Sequence, residues 1–270
     1  MKSKKILHIW DTAGVGSILA KYQRKLGHQV KVVTAKHLDP LNITRFYGNE
    51  LWEMNKKFFG MKLLLESRKF DIVHVHSGLR IGKQVKRIFN KPILIHYHGS
   101  DVRLFPLEER RKHEKFYDKI LVATPDLINF KYIKKPTYLP NPIDTDLFTK
   151  IEIPSNNKGV ISLKKGQTIE SIKKSLEEHG IQIDLEILEQ TQRKSFLEFK
   201  KFRQNYEYYL DLPFVNNEEI KAHSLTGLQS MAMGQKVIDF DFIIKEELPE
   251  QHKPENVVKE LNKIYEELLQ

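Results

Sequence analysis

The chain has 270 residues, enough for two domains of ordinary size, and its composition of 40% apolar and 30% charged residues excludes a disordered or fibrous chain. No run approaches the roughly 20 apolar residues that a membrane-spanning helix needs, and the apolar stretch at 6–10 is too short for a signal-peptide core. There is no cysteine, hence no disulfide framework and no Cys-based zinc site, which suits a reducing cytoplasm. The net charge of +10 is unevenly spread: residues 1–150 carry 29 Lys and Arg against 14 Asp and Glu, and residues 151–270 carry 16 against 21. The basic half calls for an acidic partner: phosphorylated substrate, anionic lipid or nucleic acid.

In chain order, apolar residues 6–10 read as a buried strand, 11–17 as a loop, 18–26 as a helix stopped by Gly27, and 29–34 as a second strand, which together make a βαβ unit. The pattern recurs as strand 72–76, helix 81–89, strand 92–97, charged helix 107–117 and strand 119–124. Short apolar strands interleaved with helices predict a parallel sheet covered on both faces. Pro140 and Pro142 bias their preceding residues to extended backbone, so the chain is expected to turn there from one half to the other. Beyond that hinge the predicted elements are helix 166–179, strand 181–188, a helix near 192–202, strand 206–210, helix 225–232, strand 236–240 and an amphipathic helix from Glu255.

Gly14 and Gly16 stand where the first strand hands over to the first helix, a place where backbone N–H groups and the helix N-terminus can receive a phosphate; a tight turn needing small residues is the plainer reading. The dinucleotide fingerprint is not met, because its third glycine would fall at Leu19, so a nicotinamide enzyme is not expected. His74/His76 and His96/His98 each put two imidazoles on one side of a strand. Metal ligands, structural histidines and an active-site role for His98, at a strand's C-terminal end, are all open readings; a catalytic metal is not expected. Leu51, Met54, Phe58, Met61 and Leu65 form a helical stripe flanked by Trp52, Phe59 and Leu63 and bordered by Lys56, Lys57 and Lys62. It reads as core, or as an interfacial helix for anionic lipid.

These segments resemble GT-B glycosyltransferases of the family 4 (group 1) type. The resemblance is carried by Gly14-Val15-Gly16, by residues 70–77 and 92–101, and most of all by Leu139-Pro140-Asn141-Pro142-Ile143-Asp144 with Phe148. In the second half it rests on Pro154-Ser155-Asn156, Lys165-Gly166 and Met231-Ala232-Met233-Gly234. It implies an α/β chain of two Rossmann-like parallel-sheet domains facing across a cleft: an acceptor-side domain over 1–150 and a donor-binding domain over 151–270, whose terminal helix packs back on the first.

The resemblance further implies transfer of a sugar from a nucleotide diphosphate to an acceptor with retention at the anomeric carbon, the nucleotide sugar being a substrate and no other cofactor being needed. His98 and Asp101 would serve the reacting centre; Gly14, Gly16, Ser155, Asn156, Lys158, Lys165, Lys221 and Gln229 would line the donor and its phosphates. Where the family carries two acidic residues eight positions apart, this chain has Lys221 and Gln229, with Glu218 and Glu219 near enough for a shifted loop to restore one acid. Either the donor sugar is itself anionic and pairs with Lys221, or the chain has lost catalysis and binds sugar nucleotides as a partner of another transferase. The basic half suits a lipid-linked or anionic glycan acceptor and peripheral contact with the inner face of an anionic membrane, with no specific nucleic acid.

Overall fold

Strand β1 (Lys5–Ile9) starts a sheet in which β-branched and leucine residues recur at every second position, and each later strand joins it in parallel. The computed structural model describes residues 2–78, 80–188, 196–215 and 218–270. The chain forms two compact units, Met1–Pro142 with Pro254–Gln270, and Ile143–Lys253.

In the first unit β1 is followed by α1 (Val15–Lys25), β2 (Gln29–Ala35), α2 (Ile43–Phe46), β3 (Glu50–Trp52), α3 (Lys56–Ser67), β4 (Ile72–His76), α4 (Ile81–Phe89), β5 (Ile93–Tyr97), α5 (Ser100–Arg103), α6 (Leu107–Glu114), β6 (Lys119–Val122) and β7 (Thr137–Tyr138). The sheet order is β3-β2-β1-β4-β5-β6-β7, parallel throughout, which is the Rossmann order with one strand added. Every residue of β4 and β5 is buried, as expected of central strands covered on both faces. One face is apolar, with Leu7, Ile9, Val73, Val75, Ile95 and Tyr97 in one core. The opposite face presents His8, His74, His76 and His96, each 0% exposed.

The second unit runs β8 (Lys158–Ile161), α7 (Ile169–Glu178), β9 (Asp184–Ile187), α8 (Phe196–Arg203), β10 (Tyr208–Leu210), β11 (Phe214–Val215), β12 (Glu218–Glu219), α9 (Leu225–Ala232), β13 (Lys236–Ile238) and β14 (Ile244–Lys245). Its five-stranded sheet has the order β14-β13-β10-β8-β9, parallel except for β14, while β11 and β12 form a separate antiparallel pair. Finally α10 (Pro254–Leu269) belongs to the first unit, where it packs on α1 and buries Val257, Val258, Leu261 and Tyr265.

Two sequence readings are corrected. Strand β8 was not foreseen, because Lys158-Gly159 at its start does not look like strand. The helical stripe counted from Leu51 is out of phase, because residues 50–52 belong to β3 and α3 begins only at Lys56. Its flanking residues Trp52, Phe59 and Leu63 are the buried ones, while Phe58, Met61 and Leu65 are more than half exposed, at 58%, 55% and 63%. Of the helix expected near 192–202, residues 192–195 lie outside the described ones, and the remainder falls within α8.

Candidate active site

In the first sheet the strand order reverses between β1 and β4, so connections leave their C-terminal ends in opposite directions and open a crevice there. The residues at that crevice are held in sparsely populated backbone: Trp10 at φ 67° and Ser77 at φ 64°, the two positions just after β1 and β4. Trp10 stacks on Phe59 with ring centres 4.9 Å apart, and a Cβ on Gly78 would stand 1.8 Å from the indole Nε1, so only glycine fits beneath the ring. A cavity of about 330 Å³ opens here, lined by Trp10, Ser77, Arg80, Ile81, Phe105 and His113.

The glycines ahead of α1 serve a different purpose from the one their spacing suggests. The buried carboxylate of Asp11 already occupies the helix start: it accepts from the Ser17 backbone N–H at 2.9 Å and from the Thr44 hydroxyl at 2.9 Å. Burial pushes its pKa up, and the Ser17 and Thr44 donors oppose that shift. A phosphate at Gly14 and Gly16 would have to displace this anion. Gly16 is instead closely packed, since a Cβ there would lie 3.2 Å from Asp11 Oδ1 and 3.3 Å from His76 Nε2, so that these neighbours would have to give; Gly14, at φ 84°, makes the turn beside Ile43.

His98 and Asp101 come together after β5. Gly99, at φ 138°, reverses the chain so that Asp101 accepts from the backbone N–H of His98 (2.9 Å) and of Gly99 (2.7 Å) and from the Ser77 hydroxyl (2.6 Å). That carboxylate ties the β5 loop to the end of β4. The ring of His98 is held at both nitrogens, Nε2 by His76 Nδ1 at 3.0 Å and Nδ1 by Asn141 Oδ1 at 3.1 Å. Asn141, part of the Pro-Asn-Pro segment, thus orients the candidate catalytic imidazole. Sequence reading took that segment as a hinge and as the main carrier of the resemblance, with no side-chain role at the site.

Beneath His98 lies a layer of imidazoles. His74 stacks on His76 with centres 4.4 Å apart and a 14° interplanar angle, and His96 lies 4.4 Å from His98. His8 Nδ1 meets His76 Nε2 at 2.9 Å, and His8 Nε2 meets Gln23 Oε1 of α1 at 2.8 Å. Tyr265 of α10 closes the layer with its hydroxyl 2.7 Å from His74 Nδ1. Burial lowers the His8 pKa to about 4 and holds His74, His76 and His96 well below the ordinary imidazole range, the neighbouring rings adding to the effect. For His98 burial lowers the pKa, and the Asp101 charge and Asn141 bond draw it back up. The participation of His8, Gln23 and Tyr265 was missed, although His8 sits at the same period-two phase of its strand as the paired histidines do.

In the second unit the strand order reverses between β8 and β10. At the C-terminal ends of those strands a cavity of about 220 Å³ is lined by Gly166, Gln167, Phe214, Glu219, Phe240 and Phe242. Gln167 fixes its floor, donating to Leu212 O at 3.1 Å and accepting from Lys164 N at 3.0 Å. Exposed Lys165 adjoins this cavity in sequence, and Glu219, two residues before Lys221, lines it. Ser155, Asn156 and Lys158 stand at the other end of β8. Asn156 bonds Asn205 O at 2.9 Å, and the Lys158 amine lies 3.8 Å from Glu186. The structure therefore does not bring these three together with Lys165, since the end of a parallel strand opposite the crevice cannot reach it. Lys221 faces Asp241 at 3.6 Å, and buried Gln229 accepts from Arg203 at 3.2 Å, which spends its amide oxygen inside the protein. A carboxylate the sequence did not flag, Asp211 just after β10, accepts from Ser224 N at 2.9 Å and lies 3.2 Å from His223 Nδ1.

Two α/β units of this topology define the GT-B class of glycosyltransferase. Residues 18–147 match the profile of Glycosyltransferase Family 4, and the fold is that of the GT-B glycosyltransferases. The chain is similar in fold to Anabaena HepE, solved in complex with UDP, at 11% identity and a TM-score of 0.55, with 98% of this chain and 92% of that one covered. It is also similar in fold to the spinosyn forosaminyltransferase SpnP, at 11% identity and a TM-score of 0.51, with 97% and 99% covered. A comparison with curated proteins gave no match.

Proposed function

We propose that the protein transfers a sugar from a nucleotide diphosphate to an acceptor hydroxyl with retention of configuration. The observation that carries this reading is the pairing of His98 and Asp101 at the crevice of the first unit, with both nitrogens of His98 held. In this reading the cavity under Trp10 takes the acceptor, and the aromatic cavity of the second unit takes the nucleotide, with Lys165 facing its phosphates. Negative charge grows on the diphosphate as the glycosidic bond breaks, so a cation placed there lowers the barrier. HepE was solved with UDP, which supports a uridine nucleotide as the first ligand to test. Calorimetry with UDP is expected to show binding that Phe240→Ala weakens by about tenfold, the loss of one base–aromatic stack of about 1–3 kcal/mol. Undiminished binding in that variant would remove the assignment. Because Lys221 is exposed and only 3.6 Å from Asp241, an anionic donor sugar would have to compete with that carboxylate. Measuring UDP-glucuronate against UDP-glucose decides this, and equal affinity ends the anionic-donor idea.

The outward face of α3 favours a membrane-borne acceptor. Phe58, Met61 and Leu65 project beside Lys57 and Lys62, an apolar strip edged by cations that suits anionic headgroups, and among the described residues no helix is long and apolar enough to cross a membrane. Binding to vesicles containing phosphatidylglycerol is expected to fall as salt rises and to drop at least tenfold in Phe58→Glu/Leu65→Glu, while phosphatidylcholine vesicles bind neither form. Salt-independent binding, or none to the anionic vesicles, would remove the proposed contact with anionic headgroups.

A further inference from the structure

The hydrogen-bonded histidines form an unbroken line: Gln23 Oε1, His8, His76, His98 and Asn141 Oδ1, with links of 2.8, 2.9, 3.0 and 3.1 Å. Each ring spends one nitrogen on each neighbour, and each link needs one proton. Three neutral imidazoles bring three protons, yet four links lie between the two amide ends. With three protons the line closes only if one terminal amide turns its NH₂ inward. With both carbonyls accepting, as arranged here, it closes with four, that is, with one extra proton and one positive charge shared by three rings.

We propose that His8, His76 and His98 act as a single proton-holding unit that takes up one proton at His98 Nδ1 and distributes its charge inward. The balance is simple. A proton arriving at His98 Nδ1 makes that ring an imidazolium; its Nε2 proton can pass to His76 Nδ1, and the His76 Nε2 proton to His8 Nδ1. No proton leaves the line, and His8 retains its Nε2 proton on Gln23. The surroundings allow one charge and no more: Asp101 faces His98, Asp11 lies beside Gly16 next to His76, neutral His74 and His96 stack alongside, and Tyr265 and Arg24 face the His8 end. His8 and His76 are then positioning residues for His98. Their use in drawing the proton from an acceptor hydroxyl rests on the transferase reading, whereas the line itself does not.

The test is ¹⁵N-histidine NMR of the full chain, titrated downward from pH 8 until the fold is lost. The ring nitrogens of His98, His76 and His8 are expected to move together in one step that accounts for one proton, with N–N coupling visible across the His76–His98 link. In His8→Phe the step is expected at lower pH by about one unit, as for strongly interacting sites. Independent titrations, no step before unfolding, or a His98 midpoint unchanged in His8→Phe would each overturn the proposal, as would stoichiometric Zn²⁺ binding that displaces the link protons. Should His8→Phe fail to fold, the coupling and the common step in the unaltered protein still decide. None of these measurements needs donor or acceptor, so absence of sugar transfer and failure of the proton line are separate results.

Discussion

Acidification from pH 7 to 5 is expected to destabilise the first unit strongly. Its histidines have folded-state pKa values below the unfolded value, about 4 for His8 and lower than ordinary for His74, His76, His96 and His98. Above the unfolded midpoint both states are neutral and nothing is lost. As pH falls below it, the unfolded chain binds protons that the fold refuses, so stability declines until the depressed folded values are reached. Each ring that stays neutral costs on the order of 1 kcal/mol at pH 5.5, taking an unfolded value of about 6.5. If the proton line accepts one proton, four rings remain, a loss of several kcal/mol against a total domain stability of about 5–15 kcal/mol. Both tryptophans, Trp10 and Trp52, belong to this unit, so tryptophan fluorescence in urea reads it selectively. A urea midpoint constant from pH 7 to pH 5 would show that the rings are not held neutral, and His74→Leu is expected to flatten the slope.

Replacing Asp101 by Ala is expected to damage structure and activity together. The carboxylate is only 6% exposed and satisfies two backbone N–H groups and the Ser77 hydroxyl, so its loss leaves three donors facing a protein interior. Removing the acceptor of a buried set costs about 2–4 kcal/mol in total, given about 1–3 kcal/mol per unsatisfied group and partial relaxation. Because the same bonds hold the His98 backbone, sugar transfer is expected to fall at least a hundredfold, whereas Asp101→Asn, which keeps one carbonyl acceptor, should retain more of both. An Asp101→Ala protein within about 0.5 kcal/mol of the parent, the range of an ordinary surface change, would show that the loop does not depend on this residue.

The fold was legible where pattern and punctuation agree. The limits of β4, α4 and α9 match the sequence reading residue for residue, because apolar runs there are bounded by Ser77, Asn90 and Met233-Gly234. Short strands with a polar start were not legible: β8 opens on Lys158-Gly159, and its misreading made Lys158 a phosphate ligand when it sits at the far end of the sheet. The candidate site was legible at His98 and Asp101, which are neighbours in sequence. Its supports were not, because Gln23, Asn141 and Tyr265 reach the imidazoles from three distant segments, and no local spacing records that convergence. Asp11 shows the converse. A glycine-rich turn looks the same to the reader whether the anion at the helix start is a ligand or the chain's own carboxylate.

Since α10 completes the unit that begins at the N-terminus, synthesis order matters. Until Tyr265 has been made, the nascent chain holds a sheet face of four imidazoles without the hydroxyl that meets His74, and α10 is not yet there to pack on α1. A ribosome stalled after the second unit would therefore carry a first unit that still lacks its last helix.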